Sequence, residues 1–339
     1  MFSNAVVPSR RIINILAAVF ILFVLVYLFP RDFTSQDAHV SPHQSAPTKR
    51  YAYATFLGGQ WDANDTSIND DGKHFTQTRM LLWQLKHDPG TRSPNNYPFL
   101  VLVTKEVTQS KREQLKREGA IVKEVAQVVP PGHEKGGPWV DMVTRVRMFE
   151  MIEYDKVMYL SPDHLITRPV DGIFEDTAAQ LQQNRKLTSK GATKPAEAPQ
   201  PSTYIFASTS SAGDFNHKLP PPRGLKTNGD CLLYKPSKEL FNYYVSLATL
   251  KAKGSHGAYP SEEPLWNYAH RRKGNMPWTQ LHWKWNIDWV SYKDYEAGIA
   301  SLNVKYWDIP EGDTELGGFA NDVKRRMEEY WLERGDEKA

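Results

Sequence analysis

The chain has a single cysteine, Cys231, in 339 residues, so no disulfide can form within it and the fold rests on packing alone. That cysteine sits in an apolar strand-like run, Cys231-Leu-Leu-Tyr234, and reads as a buried structural thiol, not a nucleophile. Excess charge is also scarce: 42 lysines and arginines stand against 39 aspartates and glutamates, a formal +3. Without a basic stripe or patch, a nucleic-acid partner is excluded. The absence of internal repeats and of long heptads leaves a solenoid or a coiled-coil dimer without support. No phosphate-cradling glycine motif is present either. Gly136-Gly137, near His133, reads as a flexible loop because no helix N-terminus follows at the required spacing.

What is present begins at the N-terminus. Ile12 to Phe29 is an uncharged apolar run interrupted only by Asn14. As a helix its 18 residues would span about 27 Å, close to a bilayer's hydrocarbon thickness. Arg10 and Arg11 precede it and Pro30-Arg31-Asp32, a poor cleavage site, follows. The reading is an uncleaved signal anchor over 12–29, with a cytosolic tail at 1–11. Residues 30–50, rich in Pro, Ser, Gln and His, read as a stem.

From Tyr51 the pattern alternates. Tyr51–Leu57, Phe99–Val103, Ala120–Val125 and Lys156–Leu160 read as strands, separated by helical spacing through Phe75 to Leu85, Thr108–Glu118 and Met142–Ile152. Strand and helix in alternation predict a mainly parallel sheet covered on both faces, an α/β fold over residues 51–335. Residues 185–202 read as an exposed loop, a helix runs from the N-cap Ser237 to about Leu250, and a charged helix covers Val323 to Glu333. Asn64-Asp65-Thr66 is a glycosylation sequon.

In open parallel sheets ligands gather beyond the carboxyl ends of the strands. Three segments should converge there: Thr55 to Gly59, Ser161-Pro-Asp-His164, and the turn before Cys231. A carboxylate at Asp163 could hold Mg²⁺ or Mn²⁺ against a diphosphate, although an aspartate after a strand is more often a turn residue. Arg145 is a candidate phosphate partner. Of the ten tryptophans, Trp283, Trp285 and Trp289 are candidate groove residues, since sugar faces stack on aromatic rings.

Residues 141–160, followed by Ser161-Pro-Asp-His-Leu-Ile-Thr-Arg-Pro-Val-Asp-Gly-Ile-Phe174, resemble the core of glycosyltransferase family eight. The similarity is greatest to its fungal glycogenin-like branch of Golgi N-acetylglucosaminyltransferases. Tyr51–Leu57, Phe99–Thr104, Gly119–Val122, Pro201–Phe206 and Asn267–Arg271 carry the resemblance further, from about Tyr51 to Trp307. It implies a type-A glycosyltransferase fold, with a smaller acceptor-side region after residue 175. The implied reaction moves a sugar from a UDP-sugar, UDP-GlcNAc or UDP-glucose, to a glycan hydroxyl with retention. The implied location is the Golgi membrane, type II, with the domain lumenal.

The resemblance also implies a site. The uracil and ribose would lie against Thr55, Phe56 and Leu57, and the phosphates near Arg145. The family's Asp-any-Asp motif, which binds ribose and Mn²⁺, falls on Ser161 and Asp163, making Asp163 the metal ligand. The turn touching the donor sugar falls on Thr227-Asn228-Gly229-Asp230, and an Asp-Gln pair over the sugar falls on Glu262 and Glu263. Asn228 and Glu262 would position the sugar for catalysis. Asn303 falls near a third metal-ligand position that is usually a histidine. The departures cluster at this site. Ser161 removes one acid and weakens metal affinity. Asp230 replaces a glycine, and either crowds a diphosphate or restores the charge lost at Ser161. Glu262 and Glu263 replace Asp and Gln. An altered specificity and a catalytically inactive, nucleotide-sugar- or glycan-binding partner of an active transferase both follow from such a pattern, with a structural membrane-tethered protein as a third reading.

Overall fold

The computed structural model describes residues 49–59, 72–130, 138–186, 197–250 and 262–335, without the side chains of residues 138, 139 and 262–264. All belong to one compact unit, Lys49–Ala339. The expected tail, anchor and most of the stem, the Asn64 sequon, the His133 to Gly137 loop and residues 187–196 lie outside the described residues. Among the described residues no helix is long and apolar enough to cross a membrane.

Eleven strands appear among the described residues: β1 (Tyr51–Leu57), β2 (Phe99–Val103), β3 (Ile121–Glu124), β4 (Lys156–Leu160), β5 (His164–Ile166), β6 (Gln182–Gln183), β7 (Thr203–Tyr204), β8 (Phe206–Ser210), β9 (Thr227–Tyr234), β10 (Thr279–Gln280) and β11 (Ser301–Asn303). Seven form the main sheet, ordered β10-β8-β9-β4-β1-β2-β3. β9 alone runs against the rest, antiparallel to both β4 and β8. The expected parallel order of β1 to β4 is therefore present, with β1 between β4 and β2.

Alternation along these strands feeds two cores, as a sheet covered on both faces requires. Ala52, Ala54 and Phe56 of β1, Leu100 and Leu102 of β2, and Val157 and Tyr159 of β4 enter one core. Tyr51, Tyr53 and Leu57, with Phe99, Val101, Val103, Met158 and Leu160, enter the other. The first core is closed by α4 (Lys238–Thr249) and α5 (Glu262–Ala269), through Leu240, Tyr244, Leu265 and Trp266. Ser237 caps α4 by accepting from Leu240 N at 3.3 Å, as its position after Pro236 suggests. The second core is closed by α1 (Lys73–Lys86) through Phe75, Leu81, Leu82 and Leu85.

The opposite side of α1 joins a third core. Met80 and Trp83 pack with Leu316, Ala320, Val323, Met327 and Trp331 of α7 (Thr314–Glu333), a stripe with helical spacing. That helix starts nine residues earlier than its sequence pattern suggests, because Gly317-Gly318 interrupts the apolar periodicity that Leu316 begins. Two glutamines of α1 clamp the small β5–β11 sheet. Gln84 Nε2 donates to Ile166 O (2.7 Å) while Ile166 N donates to Gln84 Oε1 (2.9 Å), so the amide acts as one more strand rung. Gln77 does the same at Val304 O (2.7 Å) and Tyr306 N (3.2 Å).

The helix expected over Met142–Ile152 is split. α3 (Pro138–Thr144) passes into a 3₁₀ turn at Arg145–Glu150. Thr144 Oγ1 donates back to Val140 O at 2.6 Å and accepts from Val128 N at 2.9 Å, a side-chain competition that bends helices. At the far end of the sheet the chain enters β1 through two exposed ion pairs, Lys49–Glu175 and Arg50–Asp155, each 2.7 Å.

Candidate active site

The carboxyl ends of β1 and β4, the amino end of β9 and the 3₁₀ turn meet at one edge of the main sheet. After β1, Gly58 lies so close to Asp141 that an added Cβ would collide with its carboxylate, which explains the glycine. After β4, the turn Ser161-Pro162-Asp163 is held from two sides. Ser161 N donates to Asp230 O (2.9 Å), and Val304 N donates to Asp163 O (2.7 Å). Asp230 N donates to Asn228 Oδ1 at 3.0 Å, which fixes the start of β9.

The 3₁₀ turn and the start of β9 border a cleft of about 660 Å³, lined by Arg145, Asn228, Gly229, Asp230, Asp288 and Trp289 among others. That volume falls in the range of small-ligand sites, about 300–1,000 Å³. Gly229 packs on α5: a Cβ there would sit 3.3 Å from Trp266 Cδ1. Trp289 is 45% exposed and has a left-handed backbone, φ 55°, a strained state for a residue with a Cβ. Its ring meets the exposed Phe215 edge-on, with centroids 5.1 Å apart. On the other side of Trp289 lies a second cleft of about 450 Å³, bordered by Asn303, Lys305 and Asp308.

Asp163 feels charges from both clefts. Burial pushes its carboxyl up to about 6, and the negative charge of Asp230 is the next contribution; Lys305 and Arg145 oppose the rise. Its Oδ1 exposes less than 1 Å² and has no hydrogen-bond partner among the described residues. Arg145 is nearly buried, and its Nη1 lies 3.2 Å from both Tyr159 OH and Asp230 Oδ1. Asp288 is pushed up by burial and accepts from Ala212 N at 2.7 Å.

His164, beside Asp163 in sequence, is fully buried and held neutral by burial. Its Nδ1 lies 3.0 Å from Ser161 O and 3.1 Å from Ser161 Oγ. The orientation of Asn286 that satisfies every neighbour donates Nδ2 to His164 Nε2 (2.9 Å) and accepts from Asn228 Nδ2 (3.0 Å). A neutral imidazole with its proton on Nδ1 fits both contacts. This network ties the turn after β4 to the turn that opens β9.

Arg145, Asn228 and Gly229, expected on donor contacts, therefore share one cleft; Asp163 is not among its lining residues but lies near enough to feel the charges of Asp230 and Arg145. Ser161 does not face that cleft: it is 2% exposed and turned toward His164. Phe56 and Leu57 send their side chains into the two cores, and Thr55 is fully buried with Oγ1 unpartnered among the described residues. All three are at most 1% exposed, and none of them lines either cleft. Glu262 and Glu263 open α5, next to the Gly229 turn in packing, but their side chains lie outside the described residues. Asn303 pairs with His164 across β5–β11 and borders the second cleft.

Of the three candidate tryptophans, Trp289 lines both clefts described above. Trp285 instead donates Nε1 to Asp176 (2.7 Å) over Gly172, and Trp283 stacks on His282. The sequence reading missed Asp288, Lys305 and Asp308. Asp288 adjoins the Trp-rich stretch, which was a usable signal; nothing in the chain marks Lys305 and Asp308.

The side chains fit a divalent cation on chemical grounds. The donors near Asp163 are carboxylate oxygens, and an orphaned buried oxygen is among them. Among the described residues no three His, Cys, Asp or Glu side chains converge as a complete cage. Most remaining ligands would then come from substrate phosphates and water, as is common for Mg²⁺.

No protein-family model matches the chain. It is 26% identical over 272 residues to an uncharacterized protein of Schizosaccharomyces pombe, covering 71% of each chain. A second uncharacterized protein of that yeast is 26% identical over 292 residues, 77% of this chain and 73% of the relative. Galactinol synthase 2 of Arabidopsis thaliana is 27% identical over 139 residues, 40% of this chain but only 37% of its own length. Among solved structures, the glycosyltransferase GlyE of Streptococcus pneumoniae is similar at 13% identity and TM-score 0.46, over 84% of this chain and 64% of its own. The galactosyltransferase LgtC, solved with donor and acceptor sugar analogs, is similar at 11% identity and TM-score 0.46, over 84% of this chain and 99% of its own.

Proposed function

We propose that this chain is a glycosyltransferase, a hexosyltransferase that moves a sugar from a uridine diphosphate donor to a glycan hydroxyl with retention of anomeric configuration. The observation that carries the reading is the Arg145–Asn228–Gly229 wall beside the carboxyl ends of the parallel strands, near enough to Asp163 for Arg145 to act on its charge, with Asp163 Oδ1 buried and without a partner among the described residues. Similarity to galactinol synthase 2 supports sugar transfer in general.

In this reading Arg145 binds the diphosphate oxygens with a guanidinium already rigidified by Tyr159. Asn228 and Glu262 orient the donor sugar, and the network through Asn286 and His164 keeps the two turns from drifting apart. Asp163 would hold Mn²⁺ or Mg²⁺, which, when bound, supplies charge neutralisation for the departing diphosphate. Trp289 and Phe215 present aromatic faces on which a sugar ring can stack. Residues 12–29 anchor the protein in the Golgi membrane with this domain on the lumenal side.

A second reading has one observation in its favour: Asp230 is ion-paired with Arg145, the group needed for phosphate. An inactive relative that binds a nucleotide sugar or a glycan as partner to an active transferase would show donor binding without turnover. The test offers the purified full chain a panel of UDP-sugars and follows donor hydrolysis and transfer. Turnover of one donor that falls at least about 100-fold in Asp163→Ala supports the transferase; undiminished transfer by that variant sinks the role given to Asp163.

A further inference from the structure

We propose that Asp230 is the second protein carboxylate of a divalent-cation site centred on Asp163, supplied from the strand opposite and not from the same turn. This rests on the transferase reading for its biological purpose, but its geometry stands independently.

The register of β4 and β9 sets Leu160 opposite Cys231, and the ladder continues one rung further with Ser161 N donating to Asp230 O. Directly opposed residues in an antiparallel pair have Cβ atoms about 5 Å apart. A carboxylate on residue 230 is therefore one strand spacing away from where a carboxylate on residue 161 would be. Ser161 itself cannot serve, because its hydroxyl is buried against His164. His164 cannot serve either: both ring nitrogens are engaged, by Ser161 and Asn286.

Asp163 supplies the independent sign of a ligand. Its Oδ1 is buried with no donor among the described residues, a costly state, and such groups call for a partner. Asp230 is differently placed. Its side chain is 42% exposed to the cleft, with Oδ1 at 3.2 Å from Arg145. An inner, desolvated acid and an outer, accessible one make an oxygen-only pair suited to Mn²⁺ or Mg²⁺ and poorly suited to thiolate- or imidazole-seeking metals. A cation bound to Asp230 competes with Arg145 for the same carboxylate and leaves the guanidinium available to a phosphate. Cation and diphosphate then favour each other's binding, and by linkage the effect is reciprocal.

The test uses the full chain in detergent and reads Mn²⁺ binding directly, by the electron paramagnetic resonance of free Mn²⁺, with and without uridine diphosphate. Wild type should bind Mn²⁺ weakly alone and at least about 10-fold more tightly with uridine diphosphate. Asp163→Asn and Asp230→Asn should each lose most of that affinity, while thermal stability measured in chelator stays near wild type for Asp230→Asn. Wild-type affinity in Asp230→Asn overturns the proposal, as does absence of Mn²⁺ binding in wild type with the nucleotide present. The two readings also fail separately. Asp230-dependent Mn²⁺ binding in a chain that transfers no sugar upholds this site and defeats the transferase; full transfer in chelator does the reverse.

Discussion

Acid should weaken this fold through one histidine. His270 follows α5 with no solvent exposure, its ring stacked on Phe206 at a centroid distance of 3.7 Å. Nδ1 donates to Met276 O at 2.7 Å, and Nε2 accepts from Tyr244 OH at 2.6 Å. Neither contact has room for a second ring proton on Nε2, and burial pulls the imidazole from 6.5 down to about 3. Because the folded value is depressed, the unfolded chain takes up the proton first. Stability is then full above about pH 6.5 and declines as pH falls toward 3. At pH 5, about 1.5 units below the unfolded value, the loss relative to pH 8 is about 2 kcal/mol, at 1.36 kcal/mol per unit.

The whole-protein curve mixes several groups. His164, also depressed, adds to the loss, whereas Asp163, raised to about 6, works in the opposite direction as it takes up a proton in the folded state. The perturbation is therefore His270→Gln, which removes the titration, and the quantity of interest is a double difference. Urea unfolding followed by tryptophan fluorescence gives the stability gap between wild type and variant at pH 8 and pH 5. The variant should be less stable at pH 8, since it breaks a buried hydrogen-bonded pair. The gap should narrow by about 2 kcal/mol at pH 5. An equal gap at both pH values would refute the reasoning.

Two further outcomes are expected. Glu118→Gln leaves Arg79, its buried partner at 2.6 Å between α1 and the end of the helix Gln109–Arg117, without a countercharge, and should cost about 3–5 kcal/mol in the same unfolding assay; a cost below about 1 kcal/mol contradicts the buried-pair assignment. If the domain is lumenal, Asn64 in the expressed full chain should carry a glycan, seen as a mobility shift on amidase treatment that vanishes in Asn64→Gln; an unglycosylated wild type counts against that topology.

The sequence revealed those parts of the fold in which local pattern and final environment agree. β1, β2 and β4 are buried on both faces, so their apolar runs are uninterrupted and stand out. Ser237 and Thr108 mark helix starts because a cap is a contact within four residues. The polar start of β9 was not legible. Thr227 to Asp230 are extended because Ser210 and Ser161 pair with them, and those partners lie far away in the chain. The same holds for the site. Asp163 and Arg145 could be named from their places at element ends and Asn228 from the resemblance, but the pairing of Asp230 with the turn that carries Asp163 depends on register between two strands separated by nearly seventy residues. The inward turn of Ser161 is likewise set by His164 and Asn286, and no spacing rule expresses it.

β1 begins at the end of the sheet opposite the cleft that Arg145 and Asn228 line. Arg50 is bound to Asp155 just before β4, and the seven residues of β1 carry the backbone about 23 Å from there to Gly58. The two exposed ion pairs at this point contribute little to stability, yet they fix where a leash would be tied. Anything joined to the chain ahead of Lys49 therefore enters at the end of β1 away from Arg145 and Asn228. A fusion partner or an affinity tag can be placed there, a strand's length from the cleft that Asn228 and Trp289 line.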